Sequence, residues 1–230
     1  FYDDRFGVKL DPATEVINLI GAKEGIAHAP MCFIDPGDIS ISPDPAYPVY
    51  EIGTMFAGGT THFVTLKEEN GYLIDFTDIP TDVAKKAKTL WINYPNNPTG
   101  AVVGKDYLER VVKICAEYNI LLINDLAYSE IWFDNNRPHS ILEIPGAMDI
   151  AIEFHTFSKT YNMAGMRLGF AVGNQNIIET LYKLKTNIDY GVCMGIQEAG
   201  LAALQLGDAY REEVRQSYQE RRDYLYPVLK

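Results

Sequence analysis

Apolar and polar positions along the 230-residue chain change period in a regular way. Seven short runs have the length and composition of strands: Glu15 to Ile20, Asp38 to Ser42, Thr61 to Leu66, Thr89 to Asn93, Ile120 to Asn124, Ile150 to Phe154 and Leu168 to Val172. Longer stretches between them repeat apolar residues three or four apart, most clearly Tyr107, Leu108, Val111, Val112, Cys115 and Tyr118, the spacing of one helix face. Strands alternating with helices imply mostly parallel pairing through helical crossovers, hence an α/β fold. The segment from Asp208 to Lys230 predicts a long final helix, with Asp208 as its cap, an apolar stripe at Tyr210, Val214, Tyr218 and Leu225, and a stop at Pro227-Val228-Leu229-Lys230. The apolar tail after Pro227 has nothing downstream to pack against, so the chain is expected to be part of a longer protein.

In parallel sheets ligands gather beyond the carboxyl ends of strands. Polar clusters follow four of the predicted strands: Gly21 to Gly25, Asn93 to Gly100, Asp125 to Glu130 and Thr156 to Lys159. They are expected to converge on one pocket.

Composition narrows what that pocket holds. Hydrophobic residues make up 47% and charged residues 22% of the chain, the balance of a soluble globular domain, and the length fits one large domain. A formal net charge of −11 leaves no basic face for phosphate backbones or anionic lipids, so nucleic acid and membrane are poor partners and a small molecule is the expected ligand. Cys32, Cys115 and Cys193 are too scattered for a disulfide framework or a zinc cluster, which points to a reducing, cytoplasmic compartment and to no metal. The first residues carry no signal pattern, and no stretch reaches the roughly 18 apolar residues of a membrane span.

Each polar cluster has a bland interpretation beside a chemical one. Ser158-Lys159 alone is most often a surface turn, yet a lysine in a pocket can lose its proton through desolvation and nearby cations and become a nucleophile. Arg167, on the same run, offers a planar and permanently charged fork for an anion. Asn96-Asn97-Pro98-Thr99-Gly100 is by composition a turn. Asp125, with Tyr128 three residues on, is either the cap of a following helix or a carboxylate facing the pocket. The turn from Gly21 to Gly25, with Ala22 and Lys23 at its start, offers backbone amides and a helix dipole to a phosphate.

Taken together, Ile20-Gly-Ala-Lys-Glu-Gly-Ile-Ala-His28, Tyr47 in Asp44 to Tyr50, Asn93-Tyr-Pro-Asn-Asn-Pro-Thr-Gly100, Asp125 with Tyr128, and Phe154-His-Thr-Phe-Ser-Lys-Thr-Tyr-Asn162 resemble the class I and II pyridoxal-phosphate-dependent aminotransferases of fold type I. Within that family the phrases are most similar to the LL-diaminopimelate aminotransferase subgroup, and the resemblance runs from about Tyr2 to the end. It implies that residues 1–230 are the large domain of such an enzyme, a three-layer αβα sandwich around a mostly parallel seven-stranded sheet, with the small domain outside them. A homodimer acting on an amino acid and a 2-oxo acid is implied too, LL-diaminopimelate and 2-oxoglutarate being one such pair.

The cofactor implied is pyridoxal 5'-phosphate, with Lys159 as the catalytic lysine that forms a Schiff base with it. Asp125 would sit beside the pyridine nitrogen, Asn97 and Tyr128 at the phenolic oxygen, and Tyr47 against the ring face. Ala22, Lys23, Thr156, Ser158 and Arg167 would surround the phosphate, and Lys23, Tyr47 and Asn97 would also face substrate. Thr156 stands where the family has serine or glycine, and Ala22 where close relatives often have serine. Met166 and Asp189-Tyr190-Gly191-Val192-Cys193 depart from the subgroup, the latter in a stretch expected near the dimer interface. The same lysine and aspartate serve elimination chemistry, so a carbon-sulfur lyase, a regulatory domain and a cofactor-binding but inert fragment are the alternatives.

Overall fold

The structure is a computed structural model that describes residues 1–230. In chain order the elements are α1 (Tyr2–Phe6), β1 (Val16–Leu19), α2 (Ala22–Phe33), β2 (Ile39–Asp44), α3 (Val49–Phe56), β3 (Thr60–Thr65), α4 (Thr81–Ala84), β4 (Ala87–Ile92), α5 (Lys105–Tyr118), β5 (Leu121–Asp125), β6 (Ala151–Thr156), α6 (Phe157–Thr160), β7 (Gly169–Gly173), α7 (Gln175–Ile188), α8 (Met194–Gln205) and α9 (Gly207–Leu229). The strands form one sheet in the order β1-β7-β6-β5-β4-β2-β3. Only β7 runs against its neighbours, so the other six strands bring their carboxyl ends to the same edge. All seven expected strands are present, with ends shifted by one or two residues. Strand β2 continues past Ser42 through Pro43; its ladder with β4 ends at Ile41 opposite Leu90, so beyond that point the proline is flanked by β3 alone.

Side chains alternate across the strands and so divide the core in two. Leu90, Ile92, Leu122 and Val172 pack in one layer with α1 and α5, while Trp91, Ile123, Ile152, Phe154 and Ala171 pack in the other with α2, α3 and α7. The result is the expected three-layer sandwich. Helix α5 buries Tyr107, Leu108, Val111, Val112 and Cys115 and ends at Asn119 in the left-handed conformation, as an amphipathic crossover should. No helix is long and apolar enough to cross a membrane.

One expectation for the last helix is corrected. Leu206, not Asp208, occupies the cap position, and Asp208 lies in the first turn, where its charge suits the helix dipole and pairs with Arg211. The helix ends at Leu229, within the expected stop at Pro227-Val228-Leu229-Lys230, and contains Pro227 because proline's fixed φ is helical and, on an exposed final turn, water can satisfy the carbonyl it leaves without a donor. Tyr210, Val214 and Tyr218 of the expected stripe are half-buried, whereas Leu225 is exposed.

The sheet interior also contains charge. On β6, Glu153 and His155 are both buried on the face toward α1. Glu153 accepts hydrogen bonds from the Tyr2 hydroxyl, Ser140 Oγ (2.7 Å), the Ile141 amide (2.8 Å) and Asn124 Nδ2 (2.7 Å), and lies 3.2 Å from His155 Nε2. Burial alone would raise its carboxyl, but His155, Tyr2 and Ser140 outweigh that and hold it below the ordinary carboxylate range. The carboxylate thus ties α1 to the centre of the sheet. Glu153→Ala is expected to destabilise the fold by about 3–5 kcal/mol, because four donors lose one buried acceptor; Glu153→Gln, which keeps an acceptor, should cost less. Urea midpoints measure both, and an unchanged midpoint for Glu153→Ala would refute the role.

Candidate active site

The loops after β1, β2, β4, β5 and β6 enclose a cavity of about 240 Å³. Its walls contain all ten residues singled out from the sequence, Ala22, Lys23, Tyr47, Asn97, Asp125, Tyr128, Thr156, Ser158, Lys159 and Arg167, joined by Ile26, Ala127 and Ala164. A larger cleft, of about 800 Å³ between α1 and α8, is lined mainly by apolar side chains and lacks such a convergence of polar groups.

On one side lies the start of α2. No side chain caps this 12-residue helix, so its first amides and the positive end of its dipole are open to an anion. Gly21 precedes it at φ 73°, and a Cβ there would come within 2.3 Å of Arg167 Nη2. Only glycine both adopts that backbone and leaves room for the guanidinium. Arg167 is held by a 2.8 Å hydrogen bond from Nη1 to the Ala164 carbonyl.

The helix start is fixed from behind by a clamp that sequence reasoning missed. Buried Lys185 of α7 donates to both oxygens of Glu24 (3.0 and 2.9 Å) and to both oxygens of Asp189 (2.8 and 2.9 Å), while Glu24 accepts the Ile20 amide at 2.6 Å. Burial would raise the Glu24 carboxyl, but His28, the Ile20 amide and Lys185 bring it down to about 2. Nothing in the local pattern signals this, since Glu24 and Lys185 are 161 residues apart.

Strand β5 delivers Asp125, which is buried. Its Oδ2 accepts a 2.7 Å hydrogen bond from the Tyr50 hydroxyl, and its Oδ1 is buried without a protein partner. Burial pushes the carboxyl up to about 6, against the opposing pull of the Tyr50 hydrogen bond, the nearby Ala127 amide, His155 and Lys159. No helix begins after Asp125, so the helix-cap alternative falls. Asn93, also buried, donates from Nδ2 to the Asp125 carbonyl (2.6 Å) and accepts the Asn97 amide at Oδ1 (2.7 Å), tying the Asn97 turn to the end of β5.

Helix α6 presents Lys159. Thr156 caps it, with Oγ1 accepting the Ser158 amide at 3.1 Å and contacting Ser158 Oγ at 2.9 Å. Lys159 is exposed, with Nζ 5.5 Å from the centroid of the Tyr128 ring, so the surrounding side chains alone do not provide the desolvation expected of a buried lysine. Tyr47 meets Tyr50 edge to face at 5.8 Å, and Tyr50 stacks on Trp91 at 4.5 Å. Tyr50 and Asn93 were within stretches read from the sequence, but neither was given a role.

The geometry agrees with what the chain is similar to. Residues 1–230 match the family model for aminotransferase class I and II. The LL-diaminopimelate aminotransferases of Aquifex aeolicus (strain VF5) and Nitratidesulfovibrio vulgaris (strain DP4) are 54% and 52% identical to it, over 100% of this chain and 59% of each relative. Among solved structures, substrate-bound BacF from Bacillus subtilis superposes with a TM-score of 0.95 at 40% identity, covering 99% of this chain and 57% of that one. An aromatic aminotransferase from Pyrococcus horikoshii OT3 gives 0.91 at 31% identity, covering 98% and 60%. The chain therefore spans about 59% of the length of the curated relatives it matches. On this evidence the chain belongs to the class I and II aminotransferase family.

Proposed function

We propose that residues 1–230 are the large, cofactor-binding domain of a pyridoxal-phosphate-dependent aminotransferase, which moves an amino group from an amino acid to a 2-oxo acid. LL-diaminopimelate with 2-oxoglutarate is the proposed pair, in keeping with the names of the relatives above, the homodimer the proposed working form and the cytoplasm its place. The observation that carries this reading is the convergence on one cavity of a free lysine amine, a buried carboxylate, two partners for a phenolic oxygen and an arginine beside an open helix start.

Two features fit the cofactor. Asp125 Oδ1 is a buried charged atom lacking a partner, which a protonated ring nitrogen would supply. Gly21 leaves room for the Arg167 guanidinium, which a Cβ would displace, beside the uncapped start of α2 where an anion would bind. Arg167, Thr156, Ser158 and the Ala22 and Lys23 amides would hold the phosphate; Asn97 and Tyr128 would hold the phenolic oxygen; Tyr47 would cover the ring.

When bound, pyridoxal phosphate supplies a ring that withdraws electron density from the substrate's α-carbon. Asp125 keeps the proton on the ring nitrogen and so preserves that capacity. Lys159 Nζ would anchor the cofactor, and the same amine would carry a proton to and from the substrate's α-carbon as general base and acid. Lys23, exposed on the first turn of α2, offers its cation to a substrate carboxylate.

A charge held for chemistry costs stability. The Asp125 carboxyl titrates near 6 in the folded chain against 3.8 when unperturbed, so between these values the folded state binds more protons than the unfolded state. Stability therefore falls as pH rises through that window and stays lowered above it. Asp125→Asn in the cofactor-free chain should stabilise by roughly 2–3 kcal/mol at about pH 8, with the gain vanishing below about pH 4; a gain independent of pH, read from denaturation midpoints, would contradict the assignment.

Two further experiments test the function itself. With pyridoxal phosphate the chain should develop the absorbance band of a lysine-bound cofactor, and Lys159→Ala should abolish it; a band that never forms, or that survives the substitution, sinks the reading. The full-length protein should convert 2-oxoglutarate to glutamate at the expense of LL-diaminopimelate, and failure to transfer an amino group to any 2-oxo acid would leave elimination chemistry instead.

A further inference from the structure

Tyr50 is fully buried on the first turn of α3, stacked on fully buried Trp91 at 4.5 Å and 11° and met edge-on by Tyr47 at 5.8 Å and 79°. Its ring has nowhere to turn, and its hydroxyl reaches Asp125 Oδ2 at 2.7 Å. We infer that Tyr50 is a positioning residue of the proposed reaction: by committing Oδ2 of Asp125 to a fixed donor, it makes Oδ1 the oxygen that shares a proton with the cofactor. The inference rests on the function proposed above and assigns a role outside the ten residues read from the sequence.

The polarity of this hydrogen bond is set by the surroundings. Burial, and then the neighbouring Asp125 charge, push the Tyr50 phenol well above its ordinary range, so Tyr50 keeps its proton and always donates. An oxygen already accepting from a phenol is a poorer place for a second proton, so exchange is directed to Oδ1, the atom without a protein partner. The same short segment carries Tyr47, so the residue proposed to cover the ring and the residue that orients its nitrogen partner move as one piece. The other charged or titratable groups around this pair are Tyr47, Tyr128 after β5, His155 from β6 and Lys159 from α6.

Tyr50→Phe retains the ring and its stacking on Trp91 and removes only the hydroxyl. In the cofactor-free protein, the Asp125 side-chain carboxyl can be followed by ¹³C NMR and assigned with Asp125→Asn. It should titrate near 6 in the wild type and about one unit higher in Tyr50→Phe, which has lost a donor to the charged form. Incorporation of 3-fluorotyrosine at position 50, a more acidic phenol, should shift it downward and provides the test if Tyr50→Phe does not fold. Titrations identical to the wild type overturn the proposal whether or not the cofactor binds.

A second arm compares binding of pyridoxal phosphate with that of its benzene analogue, in which the ring nitrogen is replaced by C–H. The wild type should prefer the natural ring, and Tyr50→Phe should lose about tenfold of that preference. Equal weakening toward both ligands means that Tyr50 serves only the fold, and overturns the proposal. Failure of the wild type to bind either ligand sinks the proposed function, and the NMR titration then decides whether Tyr50 controls Asp125.

Discussion

Asp125 carries a charge at the end of a central strand, buried, with one oxygen held by Tyr50 and the other without a protein partner. Taking a carboxylate out of water without full compensation is among the most costly things a fold can do. The rest of the site is arranged around that cost. Six strands pointing one way bring the loop ends to Asp125 from both sides, and reversal of β7 alone lets β1 rejoin the sheet in the common direction and place the start of α2 at the same edge.

Glu153 shows the opposite treatment of the same functional group. It is as deeply buried, on the neighbouring strand, yet its two oxygens meet a tyrosine, a serine, an asparagine, an amide and a histidine, and its carboxyl is held down rather than pushed up. Glu24 is likewise held down, to about 2, by an amide, His28 and a buried lysine. Of the three carboxylates, two have been fully furnished with donors and lock elements together. Asp125 is left short of a partner, and it is the one in the cavity. The number of donors, more than burial, separates the structural carboxylates from the one available for chemistry.

Much of the fold and site was legible in the chain because the relevant signals are local. Strand positions follow from apolar runs bounded by turn residues, and the helix of Lys105–Tyr118 from a period set by backbone geometry. Lys159, Asp125 and the Asn97 turn were visible because each lies at or just beyond the carboxyl end of a strand, where a parallel sheet must place its ligand side. The cap of the final helix was misjudged for a local reason as well: a first-turn aspartate resembles a cap.

What the amino-acid sequence determined by itself was the order of elements, the edge at which the polar clusters meet and the identity of the residues lining the cavity. Tertiary structure alone decided how those residues are held, because the holding contacts join distant positions: Tyr50 to Asp125 across 75 residues, Asn93 to Asp125 across 32, Lys185 to Glu24 across 161 and Tyr2 to Glu153 across 151. Periodicity reports which way a side chain faces relative to its own backbone. Which donor meets which acceptor, and which carboxylate oxygen is left bare, depends on how the layers close over the sheet.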